Sequence, residues 1–283
     1  MNDTGQDKPP ATVVAAVQMN SGNDAAANLA AAGQLLQTAA TQGAALAVLP
    51  ENFSLMARHD AERRAHAEPD GSGPVQDFLA ATAAKLRLWI VAGSVPISRG
   101  AGERNAQACL VYDASGKRVA RYDKIHLFDV ELPGRGETYR ESATMSSGDK
   151  VVALDTPAGR LGLSICYDVR FPELYRRLQS DGAQWLVVPA AFTAASGEAH
   201  WEVLLRARAV ENLCYVVASA QCGTHPSGRR TFGHSMIVDY WGRILAQRPD
   251  GEGVITAAID LAAQADARTR FPALAHRAAV LQN

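Results

Sequence analysis

The chain has 283 residues, of which 47% are hydrophobic, and its formal net charge is -1. This composition supports a large core, and the near-neutral charge gives no electrostatic reason to expect nucleic acid or an anionic membrane surface as a partner. No apolar run approaches the roughly 20 residues needed to span a bilayer, and residues 1–10 carry no apolar signal-peptide segment. Four scattered cysteines without CxxC spacing argue against a zinc site or a disulfide framework and indicate a reducing, cytoplasmic compartment.

The predicted elements alternate between strands and helices along the chain. Helices are predicted from a cap at Asn23 or Asp24 to Gly43, and at 75–86, 172–179 and 198–212. Strands are predicted at 12–19, 44–49, 88–95, 106–112, 118–122, 151–154, 160–166, 184–188, 213–220, 235–239, 243–246 and 254–259. Residues 261–283 are rich in Ala and Arg and show little periodicity, so no element is predicted there.

The number of strands predicts more than one sheet. About a dozen strands exceed what one twisted open sheet usually holds. Because βα units are interleaved with hairpins, the sheets should be mixed rather than purely parallel. We therefore predict an α/β protein in which two sheets pack face to face with helices outside. No internal repeat or long linker divides the chain, which favours one domain.

Cys166 occupies the end of a predicted strand. It closes the small and apolar run Arg160-Leu161-Gly162-Leu163-Ser164-Ile165, and Pro172 and Glu173 beyond it suit the first turn of a helix. A cysteine at a strand-to-helix turn is well placed as a nucleophile, near backbone N–H groups that can bind an oxyanion. The alternative is a buried structural thiol, which is the usual state of a free cysteine.

Three other charged side chains could serve that thiol. Glu51 follows a predicted strand and can take the thiol proton if partial burial raises its pKa; otherwise it is a surface carboxylate or a cap. Lys124 could support a developing oxyanion, or be an ordinary solvated lysine. Glu141 could orient that lysine or relay protons, or anchor its loop. His126 could form a Cys–His dyad, although its apolar context favours a hydrogen-bonded structural histidine.

The flanks of these four residues form an ordered set of segments. They are Leu49-Pro50-Glu51-Asn52-Phe53, Tyr122-Asp123-Lys124-Ile125-His126-Leu127-Phe128-Asp129, Arg140-Glu141-Ser142 and Cys166-Tyr167-Asp168-Val169-Arg170-Phe171-Pro172-Glu173, followed by Pro189-Ala190-Ala191-Phe192-Thr193, Gly197-Glu198-Ala199-His200-Trp201, Arg206-Ala207-Arg208-Ala209-Val210-Glu211-Asn212 and Gly233-His234-Ser235-Met236. The set resembles the nitrilase (carbon–nitrogen hydrolase) superfamily, in the same order Glu, Lys, Glu, Cys. We predict a hydrolase domain at 12–270, between a disordered N-terminal lead-in at 1–11 and a C-terminal tail at 271–283.

The resemblance implies a four-layer αββα sandwich, usually dimerised through its outer helices, so a homodimer or larger homo-oligomer is expected. It implies no metal and no organic cofactor. Cys166 would be the nucleophile, Glu51 the general base, and Lys124 the oxyanion support, together with the backbone N–H of Tyr167. Glu141 would position Lys124 or the water. A small amide would be cleaved to a carboxylate and ammonia through a Cys166 thioester.

The substrate is predicted from the residues after the cysteine. True nitrilases of the superfamily tend to follow it with Trp-Glu, whereas this chain has Tyr167-Asp168, as in the amidase branches. Arg170 could clamp a substrate carboxylate, or form a salt bridge with a neighbour such as Glu173. Phe192 and Thr193 could line the same pocket. The resemblance is nearest to the deaminated-glutathione amidases and ω-amidases, so we expect deaminated glutathione, or alternatively α-ketoglutaramate, as the small-molecule substrate.

Other functions compete with amide hydrolysis. A binding protein that lost catalysis should have replaced at least one of the four residues, and none is replaced. A thiol redox sensor needs a resolving cysteine, but the nearest, Cys214, is more than forty residues away. An acyltransferase is conceivable, although the membrane-bound transferases of the superfamily carry transmembrane helices. His59 and His66 could be metal ligands, but their charged surroundings favour a solvated helix or loop.

Overall fold

The computed structural model describes residues 11–132 and 137–278. Residues 1–10 of the predicted lead-in and 279–283 of the predicted tail lie outside these ranges. The described helices are α1 (Ala25–Thr41), α2 (Asp60–Ala65), α3 (Pro74–Leu86), α4 (Pro172–Ser180), α5 (Ala194–Asn212) and α6 (Leu261–Arg270), with 3-10 turns at Glu141–Ala143 and Cys166–Arg170. None of these helices has the length and apolar character that crossing a bilayer requires.

The strands of the described residues are numbered in chain order. They are β1 (Thr12–Gln18), β2 (Leu46–Val48), β3 (Trp89–Val91), β4 (Val95–Ile97), β5 (Asn105–Tyr112), β6 (Arg118–Asp123), β7 (Asp129–Glu131), β8 (Thr138–Arg140), β9 (Met145–Ser146), β10 (Ala153–Thr156), β11 (Gly159–Gly162), β12 (Trp185–Ala190), β13 (Tyr215–Ala220), β14 (Cys222–Thr224), β15 (Arg230–Phe232), β16 (Ser235–Val238), β17 (Ile244–Arg248) and β18 (Gly253–Ile259).

Most of these strands belong to two mixed sheets. The first has the order β18-β1-β2-β3-β5-β4, and β6 and β9 also pair with β5. The second has the order β10-β11-β12-β13-β16-β17. In each sheet three central strands run parallel, β1-β2-β3 and β11-β12-β13. The other pairings are antiparallel, except that the short β9 runs parallel to β5. Two small hairpins, β7-β8 and β14-β15, stand apart from both sheets.

The alternation of side chains along β1 shows how the layers pack. Val14 and Ala16 belong to the core shared with the second sheet, whereas Ala15 and Val17 belong to the core beneath α1 and α3. Successive strand residues point to opposite faces, so one fully buried strand serves both cores. Trp201 of α5 joins the shared core from the far side of the second sheet. The order of layers is helix, sheet, sheet, helix, which confirms the predicted αββα sandwich.

Three local predictions were wrong for identifiable reasons. Residues 261–270 form α6, which lacks an apolar stripe; Gln264 holds it by donating to the carbonyls of Gln184 and Leu213. Helix α5 begins at Ala194, four residues before the predicted start. The first turns of α5 contain small residues because Gly197 packs on Phe232. A Cβ at position 197 would lie 2.3 Å from the Phe232 Cβ. The predicted strand at 160–166 is shorter, since β11 ends at Gly162.

Candidate active site

One cavity of about 280 Å³ collects the four residues singled out in the sequence. Glu51 follows β2 and Lys124 follows β6, so both leave the first sheet. Cys166 follows β11 of the second sheet and begins a 3-10 turn, and Glu141 begins the other 3-10 turn. These side chains, up to 115 residues apart in the chain, all line the cavity.

Lys124 is the centre of the charge arrangement. Its Nζ lies 2.8 Å from Glu51 Oε1 and 3.1 and 2.9 Å from the two carboxylate oxygens of Glu141. The residue is only 1% exposed. Burial by itself would lower the pKa of Lys124, but the two carboxylates outweigh burial and raise that pKa above its usual value. The side chain is therefore an ammonium ion, and it is not the solvated lysine of the alternative interpretation.

Glu51 is ionised in this arrangement. Burial would raise its pKa, but the charge and hydrogen bond of Lys124 outweigh that effect and lower it. The other oxygen, Oε2, accepts a hydrogen bond of 2.8 Å from the backbone N–H of Ala191. The sequence suggested that Glu51 acts as a base if burial raises its pKa. In the structure the pKa of Glu51 is lowered instead. Glu51 is a carboxylate at rest because its partners are an ammonium and a backbone N–H.

The backbone of Cys166 adopts a conformation that is unusual for a residue with a side chain. Its φ is +46°, in the left-handed region that costs a non-glycine residue of order 1 kcal/mol or more. The thiol lies within hydrogen-bonding reach of the Glu51 carboxylate. Burial, followed by the negative charge of Glu51, raises the pKa of the Cys166 thiol well above 9.0. The sulfur is therefore protonated at rest, next to an ionised base.

Asp168 fixes the turn that carries Cys166. Its Oδ2 accepts hydrogen bonds from the Ile165 N–H at 2.9 Å and the Tyr122 hydroxyl at 2.7 Å. Its Oδ1 lies 2.7 Å from Nδ1 of His126, whose ring stacks on Phe171 with 3.7 Å between centroids. His126 does not line the cavity. The histidine is thus part of the support beneath the turn, as its apolar context indicated, and not a partner of the thiol.

The predicted substrate-binding residues divide into two groups. Tyr167, Phe192 and Thr193 line the cavity. The Tyr167 N–H lies in the first turn of the 3-10 segment, where backbone donors have no acceptor within the helix. Arg170 does not line the cavity. Its guanidinium packs over the Phe192 ring at 4.9 Å and contacts His200 Nδ1 at 3.2 Å. Arg170 forms no ion pair with Glu173, and its role as a carboxylate clamp stays a prediction.

Other lining residues were not anticipated from the sequence. They include Asn52, Gln107, Tyr139 and Arg229. Gln107 Nε2 donates to Asn52 Oδ1 at 2.6 Å and to Ser94 Oγ at 2.7 Å. Asn52 follows Glu51 directly, so its place beside the base could have been inferred. Gln107 and Arg229 carry no local signal, because one lies inside a buried strand and the other in the turn of an unpredicted hairpin.

The remaining cysteines and the paired histidines lie elsewhere. Cys109 and Cys214 are fully buried, and burial raises the pKa of Cys214 to about 12. His59 accepts at the start of α2, and His66 lies 3.0 Å from the Ser54 hydroxyl. Among residues 11–132 and 137–278, no three His, Cys, Asp or Glu side chains are grouped so as to hold a metal ion.

Comparison with known proteins places the chain in a family. A family model described as carbon–nitrogen hydrolase matches residues 13–269. A deaminated glutathione amidase of Yersinia enterocolitica is 43% identical over 264 residues, covering 93% of this chain and 92% of that protein. The C. elegans NitFhit protein has a TM-score of 0.88 and 39% identity, covering 95% of this chain and 66% of that one. Saccharomyces cerevisiae Nit3, described as a member of branch 10 of the nitrilase superfamily, has a TM-score of 0.83 and 31% identity, covering 92% and 94%.

The layers of the fold point to the same family as the matched sequence. The match extends over nearly the whole described chain, and Glu51, Lys124, Glu141 and Cys166 line one cavity. The chain belongs to the carbon–nitrogen hydrolase family of the nitrilase superfamily.

Proposed function

We propose that this protein is an amidase that hydrolyses a small linear ω-amide through a thioester on Cys166. The observation that carries the proposal is the buried Lys124 ammonium, held between two carboxylates beside a protonated thiol in a single cavity. A buried charge held so closely is costly to maintain for stability alone. Its cavity-facing position is what an acyl-transfer reaction requires.

The first step joins nucleophile and base. Cys166 attacks the amide carbon while Glu51 takes its proton. Because the pKa of the thiol is raised and that of Glu51 is lowered, a free thiolate is disfavoured at rest. Proton transfer therefore accompanies attack, when the negative charge passes from sulfur to the carbonyl oxygen. Lys124 and the Tyr167 N–H would bind that oxyanion, and one such donor contributes roughly 3 kcal/mol in related sites.

The second half of the reaction reuses the same groups. Protonated Glu51 gives its proton to the departing amine, which breaks the C–N bond and leaves the thioester. Glu51, again a carboxylate, takes a proton from water as the water attacks the thioester carbon. The C–S bond then breaks, the carboxylic acid product leaves, and Glu51 returns the proton to the Cys166 sulfur. Glu141 acts as a positioning residue: its Oε2 accepts from the Phe128 N–H at 2.7 Å, which fixes it against Lys124.

Deaminated glutathione is the substrate we propose, because the Yersinia relative bears that name at 43% identity. α-Ketoglutaramate is the alternative. The leaving group differs between them, and this corrects the expectation of ammonia. Deaminated glutathione is a secondary amide, so its cleavage releases the amine of cysteinylglycine, whereas α-ketoglutaramate releases ammonia. A nitrile is not expected as a substrate.

Direct measurement of products tests this proposal. Purified protein is incubated with deaminated glutathione, α-ketoglutaramate and a simple aliphatic nitrile, and α-ketoglutarate, carboxylate and ammonia are quantified. We expect turnover of at least one amide and none of the nitrile. Faster turnover of the nitrile would overturn the amidase assignment, and no turnover of any substrate would favour a binding protein of the same fold.

The surface around α5 suggests a second copy of the chain as partner. Several large apolar side chains are exposed there or on neighbouring elements: Val203 (61%), Val210 (50%), Trp241 (49%), Leu245 (44%) and Phe271 (53%). The Trp241 and Phe271 rings meet edge to face with centroids 5.4 Å apart. Such a patch is typical of an interface, and we propose a homodimer through the outer helices. The four free cysteines support a cytoplasmic location.

A further inference from the structure

The cavity that holds Cys166 opens into a larger outer cleft of about 570 Å³. The two spaces share the lining residues Asn52, Asp60, Arg63, Thr138, Tyr139 and Arg229. They therefore form one path from solvent to sulfur. Lys124 is already neutralised by two carboxylates. A cation that binds an anionic part of a substrate must then be sought among the other lining side chains.

Within the described part of the chain, three other cations line the cavity, Arg63, Arg140 and Arg229, and of these Arg229 has a buried donor without an acceptor. Its Nη2 donates to the carbonyl oxygen of Ala191, and its guanidinium lies over the Tyr139 ring at 5.0 Å. Its Nε is buried and has no hydrogen-bond partner. Among residues 11–132 and 137–278, no carboxylate lies within ion-pair distance of it. A buried N–H without an acceptor is costly, and a bound anion would satisfy it.

Hydrogen bonds hold the turn that carries Arg229. Arg229 lies between β14 and β15, and its carbonyl accepts from the His225 N–H at 2.9 Å. His225 is itself buried: Nδ1 lies 2.9 Å from the Ser21 carbonyl and Nε2 2.7 Å from the Thr231 hydroxyl. Burial lowers the pKa of His225, so the ring stays neutral and does not repel the guanidinium. The backbone at Arg229 is therefore held by contacts within the protein.

We infer that Arg229 binds the carboxylate on the acyl half of the substrate, so that the enzyme selects anionic over neutral linear amides. The inference rests on the proposed amidase function and names the substrate class of that site. A guanidinium offers a planar set of donors that matches a carboxylate, and the free Nε supplies one of them. Arg170, which the sequence suggested for this role, lies outside the cavity.

A purely structural role for Arg229 makes a different prediction. Arg229 holds the Ala191 carbonyl, and the N–H of the same residue binds Glu51. If Arg229 had only this structural role, its replacement would disturb Glu51 and slow the hydrolysis of every amide equally. A carboxylate ligand would affect only substrates that carry a carboxylate.

The kinetic test compares two amides of similar shape, succinamate and butyramide, which differ by a carboxylate in place of a methyl group. We expect Arg229→Gln to lower kcat/KM for succinamate by about 10- to 100-fold, mostly through KM, and to change butyramide by less than about threefold. Arg229→Lys should recover part of the loss. Arg87→Gln, an exposed arginine that lines neither the cavity nor the outer cleft, is the control and should change neither. Equal losses on both amides would overturn the inference.

A binding measurement separates this inference from the proposed function. α-Ketoglutarate is titrated calorimetrically into Cys166→Ala protein, with and without Arg229→Gln, so that no turnover is needed. We expect at least about tenfold weaker binding in the double variant. Unchanged affinity, or no binding to the parent variant, would overturn the inference even if amides are hydrolysed. Absence of turnover with intact, Arg229-dependent binding would instead refute the amidase proposal alone. Thermal melts of every variant report whether the fold is retained.

Discussion

Replacing Glu51 by Gln removes the basic carboxylate and keeps the shape of the side chain. Glu51 uses both oxygens, one for the Lys124 ammonium and one for the Ala191 N–H, each at 2.8 Å. Glutamine has one acceptor oxygen, so one of these donors loses its partner. An unsatisfied buried donor costs about 1–3 kcal/mol of stability. The fold should survive this loss, while the group that removes the thiol proton is gone.

The expected loss of rate follows from the fraction of the Cys166 thiol that is ionised. Burial, the largest cause of the raised thiol pKa, remains in the variant, whereas the contribution of the Glu51 charge is lost. With the pKa of an ordinary cysteine, about 8.5, roughly 3% of the sulfur is ionised at pH 7. The rate should therefore fall about 30-fold or more, which corresponds to about 2 kcal/mol in the barrier. Loss of a general base costs 10²- to 10⁴-fold in general, so larger effects are consistent with the same reasoning.

The assay is the pH profile of kcat/KM for the amide that the wild type hydrolyses best. In the wild type, Glu51 with its lowered pKa stays ionised above pH 4.5 and the profile should be flat from about pH 5 to pH 9. In Glu51→Gln the rate should increase about tenfold per pH unit, because hydroxide must then make the thiolate. Alkylation of Cys166 by iodoacetamide should show the same slope.

Glu68→Gln is the matched control. Glu68 is also a buried carboxylate, but it lies outside the cavity and accepts from the Val75 N–H at 2.6 Å and the Gln76 N–H at 3.2 Å. Its replacement should reduce stability by a similar amount and leave kcat unchanged. The reasoning about Glu51 would be refuted by a Glu51→Gln enzyme with near wild-type kcat and a flat pH profile.

Further predictions concern the nucleophile, the buried cation, acid stability and the oligomer. Cys166→Ala should abolish turnover with a wild-type circular dichroism spectrum, and persistent turnover in pure protein would remove Cys166 from its role. Lys124→Met should leave two carboxylates unpaired in the core; we expect a loss of about 3–5 kcal/mol in urea titrations, and a loss below about 1 kcal/mol would contradict the buried ion pair. The lowered pKa of buried His225 means that the unfolded chain binds more protons, so the free energy of unfolding should decrease as pH falls below 6.5. His225→Gln should flatten that decrease, and an unchanged slope would assign it to other groups. Val210→Glu should shift a dimer to monomer in light scattering, whereas Val119→Glu, exposed on β6, should not; equal behaviour of the two would argue against the α5 patch.

Sequence reasoning succeeds where a local pattern determines the structure. The buried strand at 12–18 and the helix after Asp24 follow from apolar runs and a cap, and Asp24 Oδ1 does accept from the Ala27 N–H at 3.1 Å. Helix α6 was missed because its placement depends on Gln264, whose partners are 51 and 80 residues away. The hairpin β14-β15 was missed because its strands have three residues each and one contains Gly223.

The active site shows the same division. The position of Glu51 after a strand could be inferred from the chain, and the ordered segments identified the set of four. The burial of Lys124 could not, since a lysine is usually solvated and its partners lie 73 and 17 residues away. The direction of the Glu51 pKa also depends on that contact. The place of Arg229 in the cavity could not be predicted, because it depends on how the turn between β14 and β15 packs against the site.

The origin of the reacting groups in separate sheets has a consequence for how this enzyme fails. Glu51 and Lys124 leave the first sheet, whereas Cys166 and Ala191 leave the second, and the 2.8 Å contact between Glu51 and Ala191 crosses between them. Catalysis therefore depends on the alignment of the two sheets. A slip of one ångström at their interface would disconnect base from sulfur while every helix and strand persists. Heat or denaturant should silence the enzyme before circular dichroism records any melting.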